Sequence, residues 1–132
     1  MAMWAILFGD ECEVTPDREW VDDALARMPY AKSGNQWLCL MRDDGDQMNV
    51  LWQSPAYFFE WNNEEMGGAL AGYRAGEGLD HRPQERTGFL GNLFGKKAGL
   101  TGSGFSQSEA TAMLDAYVRG TPAFPDLHWE PL

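Results

Sequence analysis

The feature that most constrains this sequence is a run of three short apolar segments joined by tight turns. Residues 36–42 (QWLCLMR) and 47–53 (QMNVLWQ) flank the turn DDGD, and Ser54-Pro55 precedes residues 56–62 (AYFFEWN). Asp-Gly tolerates the positive φ that tight hairpin turns require. Large apolar residues alternate with other residues along the second and third segments, which is the period of a β-strand. These residues predict an antiparallel β-meander.

Two further segments outside the meander also have strand character. Residues 3–8 (MWAILF) form a compact apolar run that ends at Gly9-Asp10, which predicts a buried strand. Residues 68–75 (GALAGYRA) predict a weaker strand, because glycine lowers strand stability. The tail at 124–132 contains two prolines and one tryptophan, and we expect it to pack as an extended segment.

Helix signals occur at two places in the chain. Thr15 is expected to cap the first helix, with Pro16 at its first helical position and Pro29 at its end. Ser106 and Glu109 have the spacing of a capping box for a second helix. Gly120 then suits the left-handed position that ends many helices, and Pro122 prevents continuation.

These elements predict an α+β fold, with an antiparallel β-meander sheet of four to five strands and two packed α-helices. At 132 residues, the chain is expected to form a single domain over residues 1–132. Residues 76–104 are expected to form a long glycine-rich loop, either a binding flap or a seal over one end of the core. Cys39 is expected to be a small core residue, and the predicted core also contains Trp37, Leu38, Leu40, Val50, Trp52, Met113, Leu114 and Tyr117.

The charge balance restricts the kinds of partner. Twenty acidic residues stand against ten Lys and Arg, which gives a formal net charge of −10. Residues 1–65 carry −9 of that charge and residues 66–132 carry −1. Nucleic acid is therefore not expected as a partner, because phosphate contacts need Lys and Arg, and a basic partner is favoured. The apolar N-terminal run is too short to span a membrane and lacks the pattern of a signal peptide, so no membrane partner is expected and a cytoplasmic location is predicted.

The glycine-rich stretch GFLGNLFGKKAGLTGSGF at 88–105 does not fit a phosphate-binding loop. Gly91 and the Gly95-Lys96 pair are separated by three residues instead of four, and Lys97 stands where a P-loop has Ser or Thr. We expect its apolar residues, including Phe89 and Phe94, to fold back on the domain or to pack into a partner.

Catalytic and metal-binding patterns are weak throughout the sequence. Two Cys and two His without close spacing do not predict a zinc site, and no cofactor is expected. Glu60 with Glu64 or Glu65 could perform acid–base chemistry, but neighbouring acids are common in so acidic a chain. The chain is therefore predicted not to be an enzyme, with a small carboxylate-based hydrolase kept as an alternative.

Two stretches together resemble a known family. WLCLMRDDGDQMNVLW is followed by YFFEW, and a capped helix later runs into AYVRGTPAFPDLHWEPL. Over residues 36–75 and 106–130 the chain resembles the small α+β immunity proteins of bacterial polymorphic-toxin systems, found with deaminase and nuclease toxins. The resemblance implies a protein that binds a cognate toxin domain and blocks its active site. Such toxins act on anionic substrates and are basic, which agrees with the independent charge argument. An adaptor or chaperone for a secreted effector is an alternative.

The predicted contact residues combine carboxylates with aromatic side chains, which supply steering and anchoring energy respectively. They are Asp43, Asp44 and Asp46 in the hairpin turn, Glu60, Trp61, Glu64 and Glu65 around the third meander strand, and Phe89 and Phe94 in the loop.

Overall fold

A computed structural model of the chain describes residues 2–74, 102–120 and 127–131. Within them lie seven strands, all paired antiparallel in one sheet of order β2-β1-β3-β4-β5-β6-β7, and two α-helices. The α+β class is confirmed, but the sheet is larger than the four to five strands expected. The elements are β1 (Met3–Leu7), β2 (Asp10–Val14), α1 (Arg18–Arg27), β3 (Trp37–Met41), β4 (Gln47–Gln53), β5 (Ala56–Asn63), β6 (Gly68–Arg74), α2 (Gln107–Arg119) and β7 (Leu127–Pro131).

Strand β2 was not predicted, and it forms a hairpin with β1. Phe8 and Gly9 have φ of 53° and 89°, the positive values that a two-residue hairpin turn of type I′ needs. The register runs from Leu7 opposite Asp10 to Met3 opposite Val14. The Gly9-Asp10 signal was therefore correctly placed as the end of β1, but it also begins a second strand.

The two helices pack against one face of the sheet. Cross-strand pairs put Leu40 beside Met48 and Val50 beside Phe59 on that face. The core also includes Val21 and Leu25 from α1, and it includes Ala110, Met113, Leu114 and Tyr117 from α2. Of the predicted core residues, Trp37 and Trp52 are half-buried, whereas the others, including Cys39, are buried.

The predicted caps are correct for α2 and wrong for α1. The Ser106–Glu109 capping box is confirmed, and Gly120 ends α2 with φ of 79°. The expected cap at Thr15 is wrong. Asp17 is the N-cap of α1, because its carboxylate accepts a hydrogen bond from the Trp20 backbone N–H at 2.7 Å.

Residues 103–105, just before α2, hydrogen-bond to β5 and β6 where these two strands no longer pair with each other. β5 pairs with β6 from Asn63 opposite Gly68 to Glu60 opposite Ala71. Beyond that point Phe105 forms an antiparallel bridge with Tyr57, and the Ser103 N–H donates to the Gly72 carbonyl at 2.9 Å. A Cβ atom on Gly102 would lie 2.6 Å from that same carbonyl oxygen, so only glycine fits there. The end of the predicted loop thus hydrogen-bonds to β6, whereas residues 76–101, with Phe89 and Phe94, lie outside the described residues.

Candidate protein-binding surface

A buried carboxylate organises the end of the sheet where β3 turns into β4. The Asp46 side chain is 7% exposed and accepts hydrogen bonds from three side chains on two other elements. Trp61 Nε1 lies 3.0 Å from both carboxylate oxygens, Asn63 Nδ2 lies 2.6 Å from Oδ2, and the Tyr117 hydroxyl lies 2.5 Å from Oδ1. Asp46 thereby connects the hairpin turn to β5 and to α2.

Arg42 completes this group, which we call the Asp46 cluster (Arg42, Asp46, Trp61, Asn63 and Tyr117). Its guanidinium lies 4.0 Å from the Asp46 carboxylate and 4.0 Å above the Tyr117 ring, and it also donates to the Tyr117 carbonyl. Burial, and then the hydrogen bond to Asp46, raises the pKa of the Tyr117 hydroxyl well above its usual range. The hydroxyl is therefore a stable donor to Asp46 at neutral pH.

Four exposed carboxylates surround the Asp46 cluster, and we call them the acidic end: Asp43, Asp44, Glu64 and Glu65. They come from two turns that lie at the same end of the sheet, because Gln47 and Asn62, which border those turns, are directly paired. Asp44, Glu64 and Glu65 line a concavity of about 680 Å³ together with Trp61 and Asp46.

A smaller concavity of about 280 Å³ lies on the other side of the same hairpin turn. Asp43 and Asp44 line it together with Arg119 and Gly120, which stand at the end of α2. The last turn of a helix carries a partial negative charge from its free carbonyl groups. Arg42 donates to the Tyr117 carbonyl and lines this concavity with Arg119, so these two cations offset the negative potential of the helix end.

The predicted contact residues that the structure describes differ in burial and position. Asp43, Asp44, Glu64 and Glu65 are exposed at one end of the sheet. Asp46 is buried, and its carboxylate already accepts hydrogen bonds from Asn63 and Tyr117. It therefore stabilises the turn that carries the exposed acids and is not available for contact with a partner. Trp61 is half-buried and borders the larger concavity, while Phe89 and Phe94 lie outside the described residues.

Glu60 lies apart from the other predicted acids. It pairs with Asn49 and Ala71, and its neighbour Trp61 points to the opposite face of the sheet. Glu60 is half-buried on the face away from the helices, and the residues that line the acidic concavity do not include it. In the described part of the chain, no group of three or more His, Cys, Asp or Glu is arranged to hold a metal ion.

Two exposed aromatic residues, Trp4 and Tyr30, were not predicted. Trp4, expected in a buried strand, is 43% exposed because it lies on the sheet face that the helices leave uncovered. Tyr30 follows α1 and is 89% exposed. The alternation of Glu11, Cys12, Glu13 and Val14 was the signal for a strand with one polar face, and it could have located this surface.

No protein-family model, curated protein or solved structure matches this chain, so its resemblance to immunity proteins stays a prediction from the sequence. Among the residues that the structure describes, neither helix has the length and apolar character needed to cross a membrane.

Proposed function

We propose that this protein is an immunity-type inhibitor that binds a basic toxin domain through the acidic end and covers the toxin's active site. The observation that carries the proposal is the convergence of four exposed carboxylates from two turns at one end of the sheet, where three of them, Asp44, Glu64 and Glu65, line one concavity. In a chain of net charge −10, these carboxylates form a negative surface with a concavity at its centre.

The Asp46 cluster supports this proposal because it holds the turn in place before any partner arrives. The Arg42 N–H donates to the Asp46 carbonyl at 2.8 Å, and the Asp46 N–H donates to the Asp44 carboxylate at 3.0 Å. A surface that is already ordered loses less conformational entropy on binding. Asp43 and Asp44 are therefore presented to a partner in a fixed arrangement.

The proposed inhibition is electrostatic and steric. A toxin that acts on an anionic substrate presents a positive cleft, and a negative surface accelerates encounter with such a cleft. Carboxylates then occupy positions where substrate phosphates would bind, and the half-buried Trp61 offers an aromatic contact at the centre. Inhibition of this kind requires no chemistry from the inhibitor.

The test compares two charge reversals of equal size. Glu64→Lys with Glu65→Lys alters the acidic end, whereas Glu19→Lys with Asp23→Lys alters exposed acids of α1. Asp23 is within 3.6 Å of Arg27, but this ion pair is exposed and contributes little stability. The partner would be isolated from the native host with the wild-type protein, identified by mass and assayed for toxin activity.

With that toxin domain, stopped-flow association should be about 10- to 1000-fold slower for the first variant at low salt, and nearly unchanged for the second. High salt should reduce the difference, because screening weakens steering. Equal rates for both variants and the wild type would contradict the proposal. A partner that keeps its full activity in the complex would point to the effector adaptor instead.

A further inference from the structure

We propose that the open edge of β2 binds an extended basic segment of a partner protein, which adds to the sheet as an eighth strand. β2 stands first in the strand order and pairs with β1 on its one side. In an antiparallel strand, every second residue points its backbone N–H and C=O away from its neighbour. Within the described residues these outward groups of β2 have no strand beside them, which makes the edge a template for pairing.

The side chains of β2 define the charge of the added strand. Glu11 pairs with Ile6 and Glu13 with Trp4, so both glutamates project from the sheet face opposite the helices, and both are exposed. A strand added beside β2 would place alternate side chains next to them. Opposite charges in such cross-strand positions stabilise the pairing, and like charges destabilise it. Lysine or arginine at every second position of the partner therefore fits this edge.

Two exposed aromatic residues lie near the ends of β2, and one of them, Trp4, belongs to the neighbouring strand β1. Trp4 and Tyr30 are the large apolar side chains that stand exposed in the described part of the chain. Trp4 is directly opposite Glu13, whereas Tyr30 lines a concavity of about 650 Å³ together with Asp10, the first residue of β2. Exposed aromatics beside an unpaired strand provide apolar contact area that backbone pairing alone lacks.

Charge also fixes the register of the added strand. Arg27 and Lys32 line the concavity beside Tyr30 and Asp10, so a basic residue is disfavoured at that end. The basic side chains of the partner should therefore lie beside Glu11 and Glu13, with an apolar residue towards Tyr30.

A second copy of this chain is the less favourable occupant. Pairing β2 with another β2 would bring Asp10, Glu11 and Glu13 of one copy close to the same acids of the other. Charged edge strands commonly prevent such self-association. The same charges attract a basic strand, so protection from self-pairing and selection of a basic partner have one physical origin. This second interface shares no residue with the acidic end and goes beyond the proposed toxin inhibition.

The probe is a capped peptide of alternating valine and lysine, long enough to span β2, and the control peptide has glutamate in place of lysine. The full-length protein should bind the lysine peptide and not the glutamate peptide in isothermal titration calorimetry. Two further lysine peptides carry N-methyl groups, either on the valines or on the lysines. Only one of the two should lose affinity, because in an added strand alternate amides face the edge.

Hydrogen exchange measured by NMR should show slower exchange at alternate amides of β2 when the lysine peptide is bound. Glu11→Lys with Glu13→Lys should weaken peptide binding by about tenfold or more, because two attractive cross-strand pairs become repulsive. Glu64→Lys with Glu65→Lys changes the net charge equally and should leave the affinity within about twofold.

The proposal would be overturned if folded wild-type protein did not bind the lysine peptide, or if the Glu11/Glu13 variant bound it equally well. Unchanged exchange of the β2 amides on peptide binding would also overturn it. So would dimerisation of the wild type through β2, detected by analytical ultracentrifugation. Failure of the toxin-inhibitor proposal would look different, because it concerns the Glu64/Glu65 variant and toxin activity. Each proposal can therefore fail without the other.

Discussion

Two tryptophans of this sheet lie beside a carboxylate, and the two carboxylates differ in burial and in hydrogen bonding. At one end, Trp61 donates its indole N–H to Asp46, which is also bonded to Asn63 and Tyr117. At the β2 edge, Trp4 stands opposite Glu13, and both side chains are exposed. The carboxylate is buried in the first place and exposed in the second.

The difference follows from how many elements surround each pair. β4 and β5 lie within the sheet, and α2 covers their helix-facing side, so β5 and α2 supply donors to Asp46 and exclude water from it. β2 has a neighbour on one side, and Glu11 and Glu13 project away from the helices. A carboxylate beside a tryptophan is therefore available to a partner only where the protein itself does not supply its hydrogen-bond donors.

The largest expected effect is on the Asp46 cluster. Asp46→Ala leaves the Trp61, Asn63 and Tyr117 donors without their acceptor, and each buried donor without a partner costs about 1–3 kcal/mol. We expect a loss of about 3 kcal/mol or more in the free energy of unfolding, measured by urea denaturation. The neighbouring exposed Asp43→Ala should change it by less than about 0.5 kcal/mol. Similar values for the two variants would show that Asp46 does not differ from an ordinary turn acid.

The sequence predicted those elements whose signals are local. Both ends of β4 were predicted correctly, because alternation of large apolar residues stops at turns on both sides. The capping box of α2 was also predicted, since Ser106 and Glu109 are three residues apart and interact within one helical turn. At α1, Thr15 and Asp17 are both good capping residues, and the local sequence favoured the wrong one.

The parts that were missed depend on contacts between distant residues. β7 contains one proline and few alternating apolar residues, and it becomes a strand by pairing with β6, as Gly72 opposite Trp129 illustrates. The burial of Asp46 requires Tyr117, which is 71 positions away. In the candidate surface, the proximity of the turns at Asp44 and Glu64 follows from the β4–β5 register, which the sequence indicated but did not establish.

A smaller effect is expected when the two tryptophans are compared directly. Trp61→Phe removes the indole donor to Asp46 and some packing volume, and it should cost about 1–2 kcal/mol in the free energy of unfolding. Trp4→Phe changes an exposed side chain and should cost less than about 0.5 kcal/mol. Urea denaturation of both variants tests whether the interior and surface assignments are correct. Equal costs would contradict them.

The two cysteines allow a pH-dependent effect to be assigned to one region, because Cys12 lies in the β2 edge and Cys39 in β3, which leads into the Asp46 cluster. Cys39 is buried, and this burial raises the pKa of its thiol from 9.0 to about 11. Because the folded-state pKa is the higher one, the resulting stabilisation is complete below about pH 9 and is lost as the pH rises towards 11.

Comparison of Cys12→Ser with Cys12→Ser/Cys39→Ser isolates this contribution, since the chain has two cysteines and other titrating groups are common to both variants. The difference between their free energies of unfolding should be constant from pH 7 to about pH 9 and should narrow above it, because ionisation then favours the unfolded state of the variant that keeps Cys39. At pH 8, Cys39 should also react with a thiol reagent only as fast as the sheet opens, since the thiolate is the nucleophile and the buried thiol stays protonated. If the difference between the two free energies of unfolding did not change with pH, and Cys39 were labelled rapidly in the folded protein, β3 would be as accessible as the β2 edge.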